Sequence, residues 1–139
     1  MSLRYLLDTN VISEPLRPQP DAEVLRLLQQ REGQICIASI VWHELLFGCY
    51  RLPPSARRTA IECYLFQVIA PTIPILMYDE AAAAWHAAER ARLASHGCTP
   101  SFADGQIAAV AQTNQLVLVT FNTSDYADFA GLTVEDWHE

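Results

Sequence analysis

The stretch Leu116-Val117-Leu118-Val119-Thr120, followed by Phe121-Asn122-Thr123-Ser124-Asp125, decides how this 139-residue chain is to be read. An apolar run without alternation, closed by polar turn formers, predicts a strand buried on both faces, the habit of parallel sheets. The helix predicted just before it, Phe102 to Asn114, would cover one of those faces. Earlier in the chain, Leu3 to Leu7, Ile35 to Ala38 and Ile73 to Met77 read as three more strands, and a last one falls near Leu132-Val134. Between them lie helical patterns. Asp21 to Arg31 is stopped by Gly33. A second runs from a Ser39 cap toward Tyr50, and a third from Pro53-Pro54-Ser55 through Ile61, Leu65 and Val68 until Pro71 and Pro74. Asp79 to Ser95 is Ala-rich, opens on the helix-start charges Asp79-Glu80, and ends at His96-Gly97. Strands alternating with helices predict an α/β protein, a three-layer α/β/α sandwich with a mostly parallel central sheet. Its length suits a single domain over residues 1–139, without repeat or linker. The terminal Trp137-His138-Glu139 is expected to dock or fray.

Composition narrows the function. Apolar residues make up 51% and charged ones 18%, which excludes a disordered chain. No apolar run approaches the roughly 18 residues of a membrane span. Asp8 interrupts the start before a signal-peptide core can form, so the cytoplasm is the expected compartment. Sixteen acidic residues against nine basic ones give a net charge of −7. All the basic residues are Arg, and the lack of Lys excludes a Walker P-loop, a Schiff base, a kinase and a Ser-Lys dyad. The acidity also excludes a simple basic nucleic-acid-binding module, but not a nuclease that holds metal ions. Cys36, Cys49, Cys63 and Cys98 lack zinc spacing and read as free thiols, mainly buried. Trp42, Trp85 and Trp137 read as core or partner-facing aromatics. His43, His86, His96 and His138 read as surface or cap residues, His43 being a weak site candidate because it adjoins Glu44.

In an open parallel sheet, ligands bind beyond the carboxyl ends of the strands. Asp8 follows the first strand, Glu44 lies early in the helix after the second, and Asp104 opens the helix before the fourth. Asn122 and Asp125 follow that fourth strand. Clustered carboxylates repel one another and raise each other's pKa values, a cost that a divalent cation removes. Oxygen-only ligands favour Mg²⁺ or Mn²⁺ over zinc. Mg²⁺ keeps several waters, one of which becomes a nucleophile, and this suits phosphodiester hydrolysis. Each acid also has a plainer role open to it. Asp8 can cap a short helix near Val11, Asn10 can cap or turn, and Glu44 can be a solvated early-helix acid. Asp104, three residues after Ser101, can complete a capping box, and Asp125 can be an exposed loop acid.

Four blocks together resemble a known family. They are Leu6-Leu7-Asp8-Thr9-Asn10-Val11-Ile12-Ser13, Trp42-His43-Glu44-Leu45-Leu46-Phe47-Gly48, Phe102-Ala103-Asp104-Gly105-Gln106-Ile107-Ala108-Ala109 and Val119-Thr120-Phe121-Asn122-Thr123-Ser124-Asp125-Tyr126. In order and at this length they resemble PIN-domain ribonucleases, specifically VapC-type toxins of type II toxin–antitoxin pairs. The resemblance implies a parallel-sheet sandwich, a homodimer, and an acidic pocket that binds Mg²⁺, with Mn²⁺ able to substitute, and hydrolyses RNA, tRNA being one candidate. It further implies a cognate antitoxin that blocks the pocket. Asp8, Glu44 and Asp104 match the family's three core acids, with Thr9 and Thr120 placed to orient them. The fourth position departs from the pattern. Asn122 stands where many relatives have an acid, so Asp125 is favoured as the fourth acid, with Asn122 a neutral ligand or supporting group.

RNA would then be gripped by local arginines, with Arg17, Arg51, Arg57, Arg58, Arg90 and Arg92 as candidates. An acidic toxin also suits an antitoxin that inserts a basic side chain into the pocket. Two other readings keep the fold: a PIN nuclease of RNA processing, and an inactive PIN domain that only binds a partner. An Asp-x-Asp phosphatase fits less well, because residue 10 is Asn and there is no Lys. The apolar stretch from Ile61 to Ile69 is open between core and dimer surface.

Overall fold

The structure, a computed structural model, describes residues 2–138; Met1 and Glu139, the ends of the expected domain, lie outside it. Five short strands form one parallel sheet in the order β3-β2-β1-β4-β5. They are β1 (Tyr5–Leu7), β2 (Ile35–Ala38), β3 (Ile75–Leu76), β4 (Val117–Val119) and β5 (Val134–Glu135). The central pairing sets Leu6 beside Cys36 on one side and beside Leu118 on the other. These three side chains are completely buried, as the unalternating apolar runs require. The outer strands are shorter than expected. Only Ile75 and Leu76 pair in β3, and β5 begins two residues later than Leu132.

Strands step outward from β1 to β3, and the chain then returns to add β4 and β5 on the other side of β1. Right-handed crossovers in these opposite directions put helices on opposite faces, so the α/β sandwich follows from the order. On one face, α2 (Ala22–Gln30) shares a groove with the segment after α4 (Ala56–Cys63), lined by Leu25, Leu28, Tyr64 and Val68. On the other, α6 (Glu80–Ser95) packs along α7 (Phe102–Thr113). The reversal of order between β1 and β4 makes their carboxyl ends a topological switch point.

Helix starts follow their caps. Asp21 accepts from the Val24 amide, Ser55 from Arg58, Asp79 from Ala82 and Ser101 from Asp104. Ser39 does not cap α3 (Ser39–Tyr50); it is the first helical residue, and its hydroxyl accepts instead from the Tyr78 amide at 3.4 Å. Beyond α4 the helix loosens into a π segment, Tyr64–Ile69, and then tightens into α5 (Ala70–Thr72). The stretch from Ile61 to Ile69 is partly core and partly exposed. Leu65 and Ile69 are buried, while Phe66 and Val68 are exposed.

Two expectations about side chains are corrected in part, and a third is met at the terminus. His86 is buried rather than on the surface: its Nδ1 meets the Tyr78 hydroxyl at 2.9 Å and its ring packs on Phe102. Cys36 and Cys49 are buried, but Cys63 is exposed and Cys98 partly so, because Cys63 ends the solvent face of α4. Among the terminal residues Trp137 docks, its ring edge against Tyr5, with Arg31 over both rings. Trp42 and Trp85 are half-buried and pack on the core, as expected. No described helix is long and apolar enough to cross a membrane.

Candidate active site

At the switch point, Asp8 directly follows β1 and Thr120 directly follows β4, and both side chains are buried. Asp8 receives three donors. Its Oδ1 accepts from the Thr9 amide at 2.8 Å; its Oδ2 accepts from the Thr120 hydroxyl at 2.8 Å and from the Tyr126 hydroxyl at 3.1 Å. Asp8 thus caps α1 (Thr9–Ile12), the plainer role open to it, through Oδ1, while Oδ2 accepts from two hydroxyls. The Thr9 hydroxyl donates to Glu44 Oε2 at 2.6 Å, tying α3 to the end of β1. Both threonines thus orient carboxylates, as the sequence reading expects.

Asp104 reaches the same place from the first turn of α7. Its backbone amide donates to Ser101, and its Oδ1 lies 3.3 Å from the Tyr126 hydroxyl. Burial pushes the Asp104 carboxyl above the usual range, and the charges of Asp8 and Asp125 push it the same way, against hydrogen bonds from Ser101 and Tyr126. Burial, reinforced by the charges of Asp8 and Asp104, raises the Tyr126 phenol far above its ordinary value. Tyr126 is therefore a donor at any working pH. Gly105 is what lets α7 come this close: a Cβ there would lie 2.2 Å from His86 Nε2.

At the fourth position the structure places two exposed side chains. Asp125 is exposed on a 3₁₀ turn, Thr123–Tyr126, near enough for its charge to reach Asp104. Asn122 is also exposed and donates its backbone amide to the Thr120 hydroxyl at 3.1 Å. Asn10 accepts weakly from the Phe121 amide, at 3.4 Å, linking the loops after β1 and β4. His43 faces solvent and stacks on Phe47. Among the described residues, no three acids, histidines or cysteines converge closely enough to hold a metal ion by themselves.

Sequence reasoning missed Tyr126, which joins Asp8 to Asp104. No spacing rule marks it; only its place beside Asp125 pointed there. Nor was Glu14 foreseen: it is buried, accepts from the Asp21 amide at 2.7 Å and fixes the turn before α2.

A cleft of about 460 Å³ opens beside Thr9 and Glu44, and Arg17, Arg51 and Arg57 line it. Arg58 and Arg92 are committed elsewhere, to Glu62 and Glu89. Arg90 lies over the Phe102 ring.

The PIN domain family model matches residues 5–132. The chain is 35% identical over 137 residues to the toxin FitB of Neisseria gonorrhoeae, covering 96% of this chain and 99% of that protein. It is 32% identical over 135 residues to the tRNA(fMet)-specific endonuclease VapC of Shigella flexneri, covering 97% and 98%. Among solved structures, FitAB bound to a DNA fragment matches with a TM-score of 0.88 at 34% identity, over 97% of this chain and 96% of that one. DNA-bound VapBC from Salmonella typhimurium matches with a TM-score of 0.85 at 28% identity, over 97% and 98%. Fold, blocks and relatives agree: this chain belongs to the PIN-domain family, in the branch of the VapC and FitB toxins.

Proposed function

We propose that the chain is a divalent-metal-dependent endoribonuclease toxin, neutralised by a cognate antitoxin. The observation that carries this reading is the junction of Asp8 and Asp104 on one hydroxyl, with Glu44 attached through Thr9, at the sheet's switch point. The donors are all oxygens, and Mg²⁺ takes only one or two carboxylates, completing its shell with water and substrate phosphate. Two facing carboxylates, a third nearby and an open cleft fit that demand, and Mn²⁺ would substitute. Asp8 and Asp104 would hold the ion, with Glu44 and Asp125 alongside. Bound there, it supplies Lewis acidity toward a phosphoryl oxygen and toward water.

The protein's own part is placement. Thr9 and Thr120 fix the carboxylate rotamers, and the arginine cleft takes the flanking RNA backbone through bidentate phosphate contacts. The substrate is RNA, with tRNA the first candidate, since a relative of full-length similarity is named for it. An antitoxin that places a basic side chain among these acids would block the ion and the phosphate together. Exposed Phe66 and Val68 offer an apolar patch for pairing two copies of the chain.

The test is cleavage of a structured RNA panel that includes tRNA, with Mg²⁺, with Mn²⁺ and with a chelator, beside Asp104→Asn. Cutting that needs the metal and is lost in the variant is expected. Absence of cutting by antitoxin-free protein that binds Mn²⁺ would instead favour a domain that only binds its partner.

A further inference from the structure

Tyr126 is almost completely buried, and its hydroxyl lies 3.1 Å from Asp8 Oδ2 and 3.3 Å from Asp104 Oδ1. One phenol carries one proton, yet here it faces two carboxylate oxygens from elements far apart in the chain. Of the two acids, the neighbouring hydroxyl of Thr120 bonds only Asp8. Tyr126 is thus the only described side chain bonded to both acids. Its ring is held by Phe129, with centroids 6.3 Å apart, and its backbone sits on the 3₁₀ turn that also carries Asp125. Position, direction and reach of the hydroxyl are all fixed by packing.

We propose that Tyr126 is a positioning residue that sets the separation of Asp8 and Asp104 and so preorganises them for a divalent cation. The inference rests on the metal-site reading above. Without the hydroxyl, two carboxylates with no shared donor repel and turn apart, and the cation must gather them again on binding. Groups that orient metal ligands by hydrogen bonds typically contribute 10- to 100-fold in affinity. Tyr126→Phe keeps the ring and its packing and removes only the bridge.

Mn²⁺ titration by calorimetry, with the Mn²⁺ electron paramagnetic resonance spectrum as a second readout, tests this on the full chain. Tyr126→Phe should bind Mn²⁺ about 10-fold or more weakly, with an altered spectrum and near-native thermal stability. Val24→Ala, which opens a cavity beneath α2 and leaves the packing around Tyr126 in place, should melt earlier while binding Mn²⁺ within about twofold of wild type. Asp8→Ala tests the underlying site. If the wild type takes up no Mn²⁺, or Asp8→Ala binds it equally well, the metal-site reading falls and this inference with it. If Asp8→Ala loses the ion but Tyr126→Phe binds within twofold of wild type, the positioning role alone is overturned.

Discussion

At the scale of single residues, the site is built from side chains in mutual conflict. Asp104 is half-buried beside two other acids, and its carboxyl is raised mainly by burial. The folded chain therefore holds that proton more tightly than the unfolded chain does. Stability from this group falls as pH rises from the ordinary value of 3.8 through the raised one, and stays lower at neutral pH. Asp104→Asn should accordingly melt later than wild type at pH 7 in chelator, and the advantage should vanish below about pH 4. Thermal melts across that range check it; a variant less stable than wild type at pH 7 would contradict the reading. Asp8, Glu44 and Asp104 were legible in the sequence because each sits where a strand end or helix start delivers it to the switch point. Tyr126 was not, because an aromatic in a polar loop has no period, and its role exists only in three dimensions.

Elements explain how the acids meet. The 16-residue helix α6 is so rich in alanine that it shows little apolar periodicity, which is why burial of His86 was not read from it. Yet His86 is the surface on which α7 rests, locked by Tyr78 on one side and Phe102 on the other. Gly105→Ala would drive a methyl into that ring. The expected cost is about 1–3 kcal/mol of stability from overpacking. Asp104, one residue away, would shift with the helix, and a misplacement of about 1 Å can lower turnover by about 100-fold. Denaturant unfolding and cleavage rates measured together would separate the two effects. Caps were plainer but not uniformly so: Asp21, Ser55, Asp79 and Ser101 begin helices as their residue types predict, whereas Ser39 falls one residue inside its helix. Strand ends were less plain, because pairing at a sheet edge depends on the neighbouring strand and not on local pattern.

For the whole molecule, net acidity and RNA binding are reconciled by distribution. Arg51 and Arg57 face the cleft, and among the described residues neither has a carboxylate partner. Arg57→Ala should weaken RNA binding about evenly across sequences and reduce its salt slope by about one, leaving stability unchanged. Filter binding at several salt concentrations measures it. The sheet order has one more consequence. Tyr126 and Asp8 are 118 residues apart, and β1 lacks a neighbour on one side until β4 arrives. A ribosome making this chain therefore carries a fragment whose acids stay unjoined until β4 and Tyr126 emerge. The cutting centre comes into being only then, which leaves the cell an interval in which a partner made alongside can capture the enzyme at its first appearance.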